Sequence, residues 1–344
     1  MSYKVGLIKP LLFPSCYPDE SPIGYLIRIA ELNNYGSFKW FIGEHHSKVS
    51  SVIHDFYYKI LAKYDWTGFR ENNNYKQYRE LSQNYFVARG HRFCPLCLKD
   101  KPYFKMCWQL RVSVVCLKHK IWLHDFCFKC ETQNSFSNSK ITSCKCGEPY
   151  TTLEVSEASE EVIRLQKYSL GIPIEHDLDK SNFLSFAERL DLVMFFTKWF
   201  GFRNEAVNLR DMDRARTNIS NAAEALFSGK SGFTNFLKRV NESIYENANA
   251  PGIFLTKFRC EFYEKFKQDS LEPIRISIEE YINRNWHKPL SRRNINFHAE
   301  TITQHPWIPF QSACREFDIH KSVLKNAIEN HLIRWEKDHK QKGL

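Results

Sequence analysis

Hydrophobic positions recur along most of this chain with a helical period. Ile23, Leu26, Ile27 and Ala30 stand at i, i+3, i+4 and i+7, which puts them on one stripe of a helix. Asp19-Glu20-Ser21-Pro22 marks its start. The Ser21 hydroxyl can accept from an orphan amide of the first turn, and Pro22 suits the first helical position. Gly36 is the expected stop. A second periodic segment runs through Val52, Ile53, Phe56, Tyr57, Ile60, Leu61 and Tyr64. Residues 71–84 are polar and aromatic with little period and read as a connection. Beyond residue 160 the helical period returns. Phe186, Leu190, Val193 and Trp199 mark one buried helix, Ala222, Ala225, Leu226 and Phe227 a second, and Phe233, Phe236, Leu237 and Val240 a third. Gly229 and Gly232 punctuate between the last two. Pro251-Gly252 and residues 283–296 read as connections, and residues 309–335 as a final helical unit. There is no internal repeat and no low-complexity segment.

Residues 92–150 break this pattern. Leu110-Arg111-Val112-Ser113-Val114-Val115 alternates as a short strand does. Eight of the chain's 11 cysteines lie from Cys94 to Cys146. The count is odd and the opening residues lack a secretory pattern, so a disulfide framework fits poorly and metal binding fits well. Cys94-x2-Cys97 is followed, after 18 residues, by Cys116-x2-His119. Each pair can place two ligands on one ion, and the second pair closes a tetrahedral zinc site and staples the loop between them. Cys127-x2-Cys130 is followed, after 13 residues, by Cys144-x1-Cys146-Gly147, a candidate four-thiolate site in which Gly147 can relieve the tighter turn. His124 is the alternative ligand for this second site. Cys107, Cys16, Cys260 and Cys314 read as isolated structural cysteines. Two full ligand sets predict structural rather than catalytic zinc, two ions per chain. A redox reading of Cys94-Pro95-Leu96-Cys97 lacks the strand-helix context such motifs need.

The expected fold is therefore mainly α. A helical, helix-turn-helix-like domain spans residues 1–90 and a tandem zinc-finger or zinc-ribbon module 91–150. A helical domain spans 151–300, and a helix-turn-helix-like unit closes the chain at 301–344. The length of 344 residues and the 43% hydrophobic content support several real cores. No apolar run nears the ~18–20 residues of a membrane span, and the expected location is the bacterial cytoplasm, at the nucleoid. The formal charge of +10 suits a nucleic-acid or nucleoprotein partner.

Few other motifs carry chemistry. Ser228-Gly229-Lys230-Ser231 lacks the earlier glycine of a phosphate-binding loop, since Glu224 stands there. His45-His46 reads as solvated surface. No catalytic triad or nuclease-type metal motif stands out, although a scattered carboxylate site of a zinc-dependent nucleic-acid enzyme is the rival reading. In residues 310–333, Ala313 is the small residue where two helices would cross and Asp318 the turn. Ile319, Val323, Leu324, Ala327 and Ile328 form the expected buried face of the second helix. His320, Lys321, Ser322, Lys325 and Asn326 then face outward, as candidates for nucleic-acid contact.

These pieces together resemble the TniQ family, the target-selection proteins of transposons. The resemblance rests on residues 18–30, on Arg92-Phe93-Cys94-Pro95-Leu96-Cys97 with Trp108-Gln109-Leu110 and Val115-Cys116-Leu117-Lys118-His119, on Cys127-x2-Cys130, and more weakly on residues 222–236. It implies a non-catalytic adaptor that hands a marked site to an AAA+ ATPase of the TnsC type. Short members of CRISPR-associated transposons dock as a homodimer on Cascade, the guide-RNA effector complex, for RNA-guided DNA integration. Members of the TnsD type instead bind a specific DNA sequence. The chain's length favours the Cascade-docking type.

Overall fold

In a computed structural model, the structure describes residues 10–39, 76–87, 90–136, 140–174, 184–199, 209, 211–242, 253–285, 303 and 307–335. The segment 52–64, the pair His45-His46 and Pro251-Gly252 lie outside them. The chain divides into two compact units: residues 1–247 with 268–271, and residues 248–267 with 272–344. Both are mainly helical, and the only sheets among the described residues are two short hairpins. No helix of the described residues is long and apolar enough to cross a membrane.

In the first unit, helix α1 (Pro22–Leu32) starts as its sequence dictates. Ser21 Oγ accepts from Gly24 N at 3.0 Å. Its stripe is buried, but Tyr25 and Ile29 are buried too, so the helix is enclosed on nearly every side. It stops before Gly36. Asn33 is the C-cap and Asn34 takes the left-handed conformation at φ +59°. Asn tolerates that region because its short polar side chain bonds locally. The connection before the cysteines holds a short helix α2 (Lys76–Arg79) and a 3-10 turn (Gln83–Tyr85). Helix α3 (Pro95–Asp100) follows, and then two antiparallel hairpins, β1 (Val115–Cys116) with β2 (Ile121–Trp122) and β3 (Phe126–Cys127) with β4 (Thr132–Gln133).

The strand expected over residues 110–115 is a correction. Only Val115 and Cys116 pair as a strand, and residues 112–116 are buried without alternation. The reason is a fully buried cation. Arg92 Nη1 donates to the carbonyls of Leu110 (3.2 Å), Arg111 (2.8 Å) and Ser113 (2.5 Å). Those acceptors are satisfied by a guanidinium fork, so no neighbouring strand is needed.

Four helices complete this unit: α4 (Glu160–Ser169), α5 (Phe186–Lys198), α6 (Met212–Phe227) and α7 (Gly229–Glu242). Each of the first three begins on a side-chain cap, from Ser159, Ser185 and Asp211. α6 packs against α4, α5 and α7. The three apolar sets expected from residue 186 onward are buried as read.

Gly229, at φ +68°, does end the α6 run. Gly232 does not punctuate; it lies inside α7, where a Cβ would stand 2.3 Å from the Glu224 carbonyl oxygen and 2.7 Å from Ser228 Cβ. It is the contact that lets α7 fold closely back on α6. Gly232→Ala should cost about 1–3 kcal/mol by overpacking. Urea denaturation would measure it, and an unchanged midpoint would remove this role.

In the second unit, α8 (Ile253–Lys265) and α9 (Glu272–Asn285) are tied by an ion pair. Arg259 Nε stands 2.5 Å from Glu279 Oε1, which also accepts from Tyr263 Oη at 2.7 Å. α9 runs through Asn285, into the stretch read from sequence as a connection. The final pair is α10 (Phe310–Glu316) and α11 (Lys321–Glu329).

Candidate metal centres and the terminal helix pair

The eight expected ligands assemble into two clusters. Cys94, Cys97, Cys116 and His119 form one, and Cys127, Cys130, Cys144 and Cys146 the other; within each, the ligand atoms all lie within 4.8 Å of one another. In the first, Cys97 and Cys116 sulfurs are 3.5 Å apart, and His119 Nδ1 stands 3.2, 3.3 and 3.8 Å from Cys94, Cys97 and Cys116. In the second, Cys127 and Cys146 are 3.7 Å apart, and Cys130 and Cys144 3.6 Å. A disulfide needs about 2.05 Å. A tetrahedron with metal–sulfur bonds near 2.3 Å has edges of about 3.8 Å, so both clusters fit a zinc-sized ion.

Local chain geometry makes these clusters. Cys94 is the N-cap of α3, Pro95 takes the first helical position, and Cys94 Sγ accepts from Cys97 N at 3.4 Å. Cys116 ends β1 and His119 follows in the hairpin turn, where Lys120 takes φ +57°. Cys127 and Cys130 repeat that arrangement on the β3–β4 hairpin, with Glu131 at φ +52°. Gly147, at φ +88°, closes the tight turn that brings Cys144 and Cys146 together, and its N–H donates to the Cys144 carbonyl at 2.9 Å. Shared hydrogen bonds and burial split the thiols: contact with the Cys116 sulfur pushes Cys94 and Cys97 up and burial pushes Cys127 up, while one thiol in each cluster is held down. Hydrogen bonds from the Cys94 and Cys97 thiols hold Cys116 well below the usual thiol range. The Thr132 hydroxyl, 2.9 Å from Cys130, holds that thiol down to about 6.

His124 lies outside both clusters. It is buried, with its ring near Phe93 and Phe128. Cys107 sits in a separate 3-10 turn (Met106–Gln109). Cys94-Pro95-Leu96-Cys97 does open a helix, but Phe93 before it makes only an isolated bridge to His124.

Three supporting residues escaped the sequence reading. Asp100 Oδ2 stands 3.5 Å from His119 Nε2, on the ring side opposite the sulfurs, and also pairs with Lys118. A carboxylate there fixes the tautomer that leaves Nδ1 for the metal. Its position, three residues after Cys97 on a helix facing the knuckle, was the available signal. Asp100→Asn should weaken the first site about tenfold, the low end for a half-exposed support. A competitive chelator titration reads this directly. Arg92 is the second residue: it also reaches the Leu209 carbonyl at 2.5 Å, and burial pushes its guanidinium down to about 10. Gln166 is the third, accepting from Val114 N at 3.2 Å and donating to Ser113 Oγ at 3.0 Å.

The N-terminal segment is fastened to the loop between the first pair of knuckles. Ser21 N donates to the Phe104 carbonyl at 2.7 Å and Met106 N to that of Asp19 at 2.8 Å. The Asp19 carboxylate accepts from Tyr103 Oη at 2.6 Å and Lys105 Nζ at 2.7 Å. Glu31 Oε2 accepts from Ile141 N, in the second knuckle region, at 3.1 Å.

At the other end of the chain, His320, Lys321, Ser322, Lys325 and Asn326 are all exposed on α11. Asp318 makes the turn at φ +49°. His320 is the N-cap, and its Nδ1 accepts from Ser322 N at 3.3 Å. Of the expected buried face, Leu324 is buried and Ile319, Ala327 and Ile328 are half-buried. Val323 is 56% exposed, a correction. α11 has only nine residues and packs on seven-residue α10, so their joint surface covers little more than one side chain fully.

No curated protein matches the chain. A family model described as TniQ matches residues 11–123, the stretch that contains α1, the loop fastened to it and the whole first cluster. Over residues 11–123 the chain is therefore similar to the TniQ family.

Proposed function

We propose that the chain is a non-catalytic target-selection adaptor of a CRISPR-associated transposon. In this reading it docks as a homodimer on the guide-RNA complex Cascade and recruits a TnsC-type AAA+ ATPase for DNA insertion. It works in the bacterial cytoplasm, at the nucleoid. The observation that carries the reading is the TniQ match over residues 11–123. The metal centres support it. Each offers four protein ligands, so neither keeps the open position a catalytic zinc needs. We take the ion to be zinc, two per chain, because three sulfurs with one imidazole and four sulfurs are its preferred structural sets. Bound there, zinc would supply folding energy and stiffness rather than chemistry.

Co-expression with Cascade and guide RNA, followed by size-exclusion chromatography, tests the docking. Co-elution at two copies per complex is expected. Clean separation, with no guide-directed insertion, refutes it.

A second reading, a TnsD-like selector that reads DNA itself, draws on the exposed Lys321 and Lys325 near the start of α11. Charge reversal at both should then abolish binding to a defined attachment site, and lower the salt dependence of any residual binding. Unchanged binding would dismiss this role for α11. A zinc-dependent nucleic-acid enzyme is the third possibility from sequence, and a metal-dependent cleavage assay without turnover sets it aside.

A further inference from the structure

The two metal centres differ in a way that their shared spacing conceals. In the first, Cys94, Cys97 and Cys116 are all buried and His119 is half-buried. In the second, Cys127 and Cys144 are buried, but Cys130 is half-exposed and Cys146 is exposed. The charges differ too. Three thiolates and a neutral imidazole around a divalent ion carry net −1, whereas four thiolates carry net −2. The second set of sulfurs is the more electron-rich and also the more accessible. Finally, among its mutually close sulfurs, two contacts join opposite knuckles at short range, Cys127 with Cys146 at 3.7 Å and Cys130 with Cys144 at 3.6 Å.

We propose that the second centre is a peroxide-reactive zinc site, which releases its ion by forming the disulfides Cys127–Cys146 and Cys130–Cys144 while the first centre keeps its own. The inference rests on the zinc reading above.

The step balances. Each of two peroxide molecules is attacked by one thiolate; the O–O bond breaks, a sulfenic acid forms and hydroxide leaves. The paired thiolate then attacks the sulfenic sulfur, forms the S–S bond and expels a second hydroxide. Four thiolates lose four electrons and become two disulfides. Two peroxides gain those electrons and, with four protons, become four waters. The divalent ion leaves because a disulfide sulfur is a poor ligand compared with a thiolate. Each pair closes by only about 1.6 Å to reach disulfide length, so the knuckles stay near their places. A thiol reductant with added zinc therefore restores the centre.

The second centre also meets the segment similar to the TniQ family. The loop between Cys130 and Cys144 contains Ile141, whose N–H donates to Glu31 on α1 at 3.1 Å. That bond is a direct link between the second centre and α1, within the matched family segment.

The test uses the full chain as purified, with zinc content first measured by elemental analysis. Hydrogen peroxide is added with a colorimetric zinc chelator present. One equivalent should appear roughly tenfold or more faster than the second, reflecting thiolate exposure. Peptide mass mapping should then find Cys127–Cys146 and Cys130–Cys144, and dithiothreitol with zinc should reverse the change. Cys146→His, which keeps four ligands and lowers the net charge to −1, should retain two ions and release the second-site ion several-fold more slowly. Two ions leaving together, the first centre emptying first, no release, or bridges confined within one knuckle would each overturn the proposal. A wild-type release rate unchanged in Cys146→His would do so as well. A chain that purifies without zinc overturns the metal reading and this proposal with it, whereas two bound ions released at one rate overturn this proposal alone.

Discussion

A Cys94→Ser chain is expected to bind one metal ion instead of two and to lose several kcal/mol of folding stability. Cys94 is wholly buried, caps α3 and stands 3.2 Å from His119 Nδ1. A serine hydroxyl is a poor zinc ligand at neutral pH, so the tetrahedron opens. Structural zinc contributes on the order of 10–16 kcal/mol in isolated finger peptides, and three remaining ligands keep only part of it. The damage spreads because the 18-residue loop between the knuckles is what α1 is built on. Phe104, wholly buried, touches α1 at Gly24, and its carbonyl receives Ser21 N. When that loop loosens, α1 loses the Phe104 contact at Gly24 and the bond from Ser21 N at its start. Urea unfolding followed by the fluorescence of buried Trp108, alongside elemental analysis, checks both parts. A variant with wild-type stability and two bound ions would refute the structural role of the first centre. Strong chelation of the wild type should reproduce the loss, and the same substitution at Cys127 should cost less, because its centre is more exposed.

Arg92→Met should cost about 3–5 kcal/mol, although it removes no metal ligand. The guanidinium holds four carbonyls, those of Leu110, Arg111, Ser113 and Leu209. Burying a cation is expensive, and a hydrophobic replacement gives that cost back. It also leaves the Arg111, Ser113 and Leu209 carbonyls without this donor, at about 1–3 kcal/mol each, whereas Leu110 still accepts from Ser113 N at 3.0 Å. With several acceptors and one cation, the acceptors win. Arg92→Lys should recover little, since one ammonium cannot span four carbonyls held in a fork. The same urea experiment, with zinc content as a control, separates the two mechanisms. Arg92→Met should keep two ions in the folded fraction. A loss below about 1 kcal/mol, the ordinary range for one hydrogen bond, would show that water replaces the guanidinium.

Some of this was legible from residue order alone. The start of α1 at Ser21-Pro22 is local chemistry, and it holds in the structure because a hydroxyl cap and a proline act within one turn. The apolar sets of α5, α6 and α7 read correctly for a similar reason: their period is repeated over enough residues to specify one face. The stop at Gly36 did not, because Asn33 and Asn34 compete for the same role and the Asn33 side chain also holds Leu11 and Leu12 by their backbone amides at 2.8 Å. Gly232 read as punctuation because a glycine between apolar sets looks the same whether the chain turns there or a neighbour presses close. The strand over 110–115 failed on a residue 18 positions away from its start, which no local pattern contains.

The residue types and their spacing were enough to single out the eight residues that the structure gathers into two clusters, since soft ligands in closely spaced pairs are a short-range signal that survives any fold. The sequence also determined the helical class and the turn at Asp318. Tertiary structure alone decided what supports those ligands and how exposed each set is. Asp100 faces His119 only because α3 lies against the hairpin turn, and Arg92 meets Leu209 across 117 positions. The difference between a buried first centre and an open second one is likewise a property of surroundings. α4 packs on β1, which carries Cys116, and its Gln166 accepts from Val114 N, whereas Cys146 lies on a tight turn at the surface. Burial depends on which distant surfaces meet, and the spacing of cysteines carries no record of it.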